Sequence, residues 1–138
     1  MIDVLKKTEL FSDFNEKQLK AIAKLGKRIL IEKENNLFSK GVKSDGVYVI
    51  LGGKFIASYN DVEKEYTRGD ILSEIGLIKE VNHKIDLKAV QKSQVFLLPR
   101  DKFKKLKESS PKFALTFQDA LFKILLRKTE NLENIFLK

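Results

Sequence analysis

Between Arg28 and Leu98 the chain is cut into short β-branched and aromatic runs separated by turn residues, and this texture constrains the fold more than any other feature. The runs "RILI", "NLFS", "VYVIL", "KFIASY", "KEYT", "IDLKAV" and "QVFLL" have strand composition, because such side chains fit a pleated, half-buried surface. Many short strands at even spacing predict an antiparallel barrel or sandwich. Gly52-Gly53 reads as a two-residue hairpin between two runs, and "NDV" at Asn60 as another turn. Gly41, Gly53 and Gly69 fall at strand edges, where sharp turns with positive φ suit glycine.

Helical patterns flank this region. In "FNEKQLKAIAKLG" Asn15 is placed to cap a helix with Gln18 at the third position, Phe14 to staple onto Leu19, and Gly26 to stop it. Leu19, Ile22, Ala23 and Leu25 give that helix one apolar side, and a shorter helix is expected around Val4 and Leu5. After the strands, Phe103 and Leu106 in "RDKFKKLK" have the spacing of a short amphipathic helix with a wet lysine face. Ser110 and Pro111 then open a long helix to about Phe136. Phe113, Phe117, Leu121, Ile124, Leu125, Leu132 and Ile135 form its stripe, but Leu115, Phe122 and Leu126 widen it beyond one face. Either the rest of the domain covers both sides or the helix self-associates; a homodimer through this helix is the expectation.

The sum is one α+β domain over residues 1–138: N-terminal helices over 1–26, an antiparallel jelly-roll-like β-barrel over 27–99 with one short helix inside it, and C-terminal helices over 100–138. A chain of 138 residues has room for a real core and needs no staples to fold. Cysteine is absent, which removes disulfides, thiolate nucleophiles and sulfur-ligated zinc. The start "MIDVLKKTELF" carries acids and no long apolar run, so neither a signal peptide nor a membrane contact is expected, and the location expected is cytoplasmic. The net charge of +8 fits an anionic partner or a solvated lysine surface. Because the lysines are interleaved with acids, specific nucleic-acid recognition is not expected. No nucleophile elbow, P-loop or zinc-helix signature occurs, and there is a single histidine, so an enzyme is not expected.

The segment "RGDILSEIGLIKEVNHKIDLKAV", Arg68 to Val90, is the functional candidate. A Gly-Asp turn leads into a short apolar helix carrying an acid, Glu74, which could accept from a hydroxyl, and a polar turn then presents His83 and Lys84 to an anion. Structural alternatives stand beside these roles: Glu74 as a surface carboxylate favoured by a helix start, His83 as a solvated residue of a polar turn. Tyr48, Tyr59 and Tyr66 could stack a base or simply fill the strands' period-two positions.

Helices, a strand-rich unit interrupted by one short helix, and a long terminal helix together resemble the cyclic nucleotide-binding domain of the catabolite activator protein, protein kinase A regulatory subunits and gated channels. "LFSDFNEKQLKAIAKLGKR" resembles the family's opening helices, and "NLFSKGVKSDGVYVILGGKF" its two-glycine signature, with Gly41, Asp45, Tyr48, Ile50 and Gly53 in register. "RGDILSEIGLI" resembles its phosphate-binding cassette, and "VFLLPRDKFKKLKESSP" its exit strand and following helix.

The resemblance implies that Ser73, Glu74 and Ile75 open the cassette helix, with Glu74 at the acid that holds the ribose 2′-hydroxyl and Ser73 where the family has glycine. It also implies that His83 stands where an arginine holds the cyclic phosphate, with Lys84 and Ile85 at two small residues and Asp86 at a hydroxyl. An arginine fork supplies two charge-assisted hydrogen bonds of roughly 1.5 to 3 kcal/mol each, which neutral histidine cannot replace. Asp86 facing the phosphate would add a repulsion of roughly 3 kcal/mol. The expectation is a stand-alone regulatory module with a degenerate cassette that holds cyclic AMP or GMP weakly or not at all, and has no other cofactor. The alternative is a protein-interaction or dimerisation module, its protein partner unknown, that keeps the fold without a ligand. A transcription factor is less favoured, because no helix-turn-helix pattern follows the long helix before Lys138.

Overall fold

The computed structural model describes the backbone of residues 1–137 and the side chains of residues 1–130. Helices α1 (Ile2–Lys7) and α2 (Glu16–Leu25), with a 3-10 turn at Glu9–Phe11 between them, lead into eight strands. These are β1 (Lys27–Ile31), β2 (Asn36–Phe38), β3 (Gly46–Gly52), β4 (Lys54–Tyr59), β5 (Val62–Thr67), β6 (Ile71–Leu72), β7 (Leu87–Ala89) and β8 (Ser93–Pro99). The short α3 (Ile75–Ile78) lies between β6 and β7, and α4 (Arg100–Ser109) and α5 (Pro111–Leu137) end the chain.

The strands form two four-stranded antiparallel sheets, β1-β8-β3-β6 and β2-β7-β4-β5. Among the described residues no ladder joins them into a closed ring, so the expected barrel is a jelly-roll-like pair of facing sheets. Tyr48, Ile50, Val95 and Leu97 of the first sheet meet Phe38, Phe55, Ala57, Leu87 and Ala89 of the second in an inner core. The alternate residues Val47, Val49, Phe96 and Leu98 face the other way, into a second core made with the helices. Both faces of β3 and β8 are thus covered, which is why "VYVIL" and "VFLL" are continuously apolar rather than alternating. Phe117 of α5 lies at the centre of the helical core, with ring centroids 5.4 Å from Phe11 and 5.3 Å from Phe103.

Local signals hold at several positions. Asn15 and Gln18 form the reciprocal capping box, with hydrogen bonds of 2.8 and 3.0 Å. Asn60 and Asp61 both take positive φ, 49° and 64°, making the tight β4–β5 hairpin whose twist suits antiparallel strands. Gly41, Gly53 and Gly69 all have φ near +90°.

Three expectations need correction. Gly52-Gly53 is no hairpin: β3 and β4 belong to different sheets, and Gly53 is the corner where the chain crosses between them. Gly26 ends α2 without a left-handed conformation; it is needed because a Cβ there would lie 2.3 Å from the Phe96 ring. The strand expected from Ile85 starts only at Leu87, and the two residues Ile71–Leu72, absent from the expected strands, pair with β3.

Candidate ligand-binding site

Ser73 carries the chain from β6 into α3 with φ +63°, a conformation that costs a non-glycine residue on the order of 1 kcal/mol. Its hydroxyl shares a hydrogen bond with the Ser44 hydroxyl, which in turn donates to the Gly46 carbonyl at 3.0 Å. The corner that the resemblance assigns to glycine is therefore kept by a local polar contact. Gly76 packs so closely that a Cβ would lie 2.2 Å from Ser44 Oγ. Arg100, at the start of α4, donates from Nη1 to the carbonyls of Ser44 and Gly76, both at 2.9 Å. One guanidinium thus ties the cassette helix, the β3 approach and α4 together.

Glu74 is 7% exposed, so the surface-carboxylate alternative does not describe it. It stands at the N-cap of α3 without capping the helix; Oε1 instead accepts from Lys128 Nζ at 2.7 Å. Lys128 belongs to α5 and also lies 3.4 Å from the Ile71 carbonyl. Its neighbour Arg127 pairs with Glu9. Sequence reading missed both Lys128 and Arg100. The available signal for Lys128 is its place in the stripe Phe117, Leu121, Ile124, Lys128, where a cation continues an apolar row and so calls for a partner.

His83 is also 7% exposed, with its ring flat on Phe38 at 3.8 Å between centroids and 2° between planes. Burial lowers its pKa from the ordinary histidine value, opposed by the Asp45 carboxylate, so the neutral form is favoured. The solvated-turn alternative does not hold. Its backbone is pinned as well: His83 N–H donates to the Val42 carbonyl at 2.8 Å, and its carbonyl accepts from Gly41 N–H at 2.9 Å.

These groups line a cavity of about 590 Å³. Ser73, Glu74, Ile75, His83 and Lys84 all contribute to the wall, together with Phe38, Tyr66, Leu72, Ile85, Lys64 and Lys128. Asp86 does not. Its carboxylate accepts the Lys40 N–H at 2.7 Å outside the cavity, so the repulsion expected between Asp86 and an anion is withdrawn. The three tyrosines separate: Tyr66 lines the cavity, Tyr59 is exposed, and Tyr48 is buried between the sheets with its phenol pKa pushed up to about 12, chiefly by burial. A larger open groove of about 700 Å³ between α2 and α4 is lined by Lys24, Lys27, Arg100 and Lys104 and lies apart from the cassette.

Residues 28–110 match the cyclic nucleotide-binding domain family. The chain belongs to that family. Its structure superposes on a cyclic nucleotide-binding domain from Methylobacillus flagellatus with a TM-score of 0.81 at 18% identity, covering 99% of this chain and 80% of the other. It superposes on the N-terminal domain of a transcriptional regulator from Streptomyces coelicolor with a TM-score of 0.80 at 18% identity, covering 94% and 95% of the two chains. Identities this low speak to the fold alone. An uncharacterized NTE family protein of Mycobacterium tuberculosis is 22% identical over 125 residues, 89% of this chain and 21% of that protein. The chain therefore spans about a fifth of the length of the curated relatives it matches. No helix of the described residues is long and apolar enough to cross a membrane.

Proposed function

We propose that this cyclic nucleotide-binding domain acts as a non-catalytic regulatory module in which occupancy of the cassette cavity biases the packing of α5, and that cyclic AMP and GMP bind it weakly or not at all. The observation that carries the coupling is the Lys128–Glu74 contact, because the acid lining the cavity and the terminal helix share one ion pair. A ligand that donates hydrogen bonds to Glu74 competes with Lys128 for its carboxylate, and so acts differently on the docked and undocked helix.

The weak affinity for cyclic nucleotides rests on the phosphate side. No arginine is among the described residues that line the cavity, and His83 at the arginine position is stacked and biased to neutral. Losing a bidentate guanidinium costs on the order of a hundredfold in affinity. Calorimetry with cyclic AMP tests this on the wild type and on His83→Arg/Lys84→Ala/Ile85→Ala, with Asp86 kept because it holds the Lys40 turn. Binding no tighter than about millimolar is expected for the wild type, with a gain of at least tenfold in the variant. Micromolar binding by the wild type refutes the reading.

A second reading, a dimerisation module, is favoured by one separate observation. Leu115, Phe122 and Leu126 are 59%, 56% and 49% exposed and follow one side of α5.

A further inference from the structure

His83 and Lys84 line the cassette cavity alone, whereas Lys64, Tyr66, Ile71 and Lys128 line both it and an adjoining cleft that also holds Glu9, Asp70 and Arg127. Among the described residues three lysines line the cavity against the single carboxylate of Glu74, with Asp86 turned away on the Lys40 N–H and His83 biased to neutral. Glu74 offsets one of the three lysine charges, so among the described residues the wall keeps an excess of positive charge next to Lys128 and Lys64. An ammonium has three donors, and Lys128 spends one on Glu74 at 2.7 Å and one, more weakly, on the Ile71 carbonyl at 3.4 Å. Its side chain is 47% exposed, so a ligand in the cavity can reach the ammonium. The body of the cavity is apolar, walled by Phe38, Leu72, Ile75 and Ile85.

We propose that Lys128, with Lys64 beside it, is the anion-binding group of this cavity, and that the ligand is a small anion with an apolar or aromatic body and a hydrogen-bond donor close to its charge. The donor meets Glu74 and the anion meets Lys128, so the two must lie about as close together as their protein partners do. The anion then sits where the cavity meets the adjoining cleft, within reach of both lysines, and a carboxylate, sulfonate or free phosphate supplies the charge. This deepens the proposed function and rests on its assignment of the cassette cavity as the ligand site.

A matched pair of fluorescent probes isolates the anion. 8-Anilinonaphthalene-1-sulfonate carries an N–H beside a sulfonate on an aromatic body, and N-phenyl-1-naphthylamine is its counterpart without the sulfonate. Both are titrated into the wild type, Lys128→Met and Lys128→Arg, with amide NMR locating the site and circular dichroism confirming the fold. The expected result is that the wild type prefers the sulfonate by on the order of tenfold, with amide shifts at residues 71–76 and 83–85. Lys128→Met abolishes the preference without weakening the neutral probe, and Lys128→Arg keeps it. If Lys128→Met binds the sulfonate as well as or better than the wild type, Lys128 only shuts the cavity and the inference is overturned. Cassette shifts from both probes without a preference overturn the inference and leave the cassette site standing. Absence of cassette shifts with either probe overturns both.

Discussion

His83 is held flat on Phe38, and the unfolded chain, lacking that burial, binds a proton more readily than the folded one. Because the folded-state pKa is depressed, the unfolded state takes up its proton first as pH falls through about 6.5, and stability declines until the folded imidazole protonates too. Chemical denaturation at pH 7.5 and 5.5 should show a lower midpoint at the acid pH, with a smaller decline in His83→Gln. A second residue-scale prediction concerns Glu74. Removing its partner in Lys128→Met leaves a buried carboxylate unpaired and should cost on the order of 1 to 3 kcal/mol, the half-exposed lysine keeping it below the fully buried case. Adding Glu74→Gln should recover part of that loss, measured as a double-mutant cycle. At Gly76 the side-chain limit is steric: Gly76→Ala places a methyl against Ser44 and the Gly46 carbonyl and should destabilise by roughly 1 to 3 kcal/mol.

At the scale of elements, α5 buries Ala114, Phe117, Leu121 and Ile124 against the N-terminal helices and α4, and leaves Leu115, Phe122 and Leu126 in water. The two further stripe positions expected from sequence, Leu132 and Ile135, lie outside the described side chains. An exposed apolar row of this length predicts association through the helix. Sedimentation at tens of micromolar should show a dimer that Leu126→Glu dissociates; a monomer unchanged by that substitution would remove the idea. What sequence reveals about the elements follows how local each cause is. The Asn15–Gln18 capping box and the Asn60–Asp61 turn are complete within a few residues, and both are legible. Gly52-Gly53 misleads because a sheet-crossing corner and a hairpin ask the same of glycine, and only the partners of β3 and β4, set far along the chain, tell them apart. β6 is two residues long, too short for any periodicity.

For the molecule as a whole, the cassette was legible as a segment and its chemistry only in part. Ser73, Glu74, Ile75, His83 and Lys84 line one cavity, whereas the direction in which Asp86 points depends on a turn 46 positions away. The Lys128–Glu74 pair spans 54 positions, and Arg100 reaches back 24 to the cassette helix at Gly76 and 56 to Ser44, distances over which a single sequence carries no pairing signal. Contacts of this kind join the terminal helices to the cassette, so cavity and helix should respond together while cyclic nucleotides find a poor clamp. An amide NMR titration of the wild type with cyclic AMP tests this most directly. Shifts should grow without saturating below about millimolar nucleotide, and those at residues 71–76 and 83–85 should move in proportion to shifts along Ile124–Glu130 of α5. Saturation at micromolar nucleotide, or cassette shifts with α5 unmoved, would contradict it.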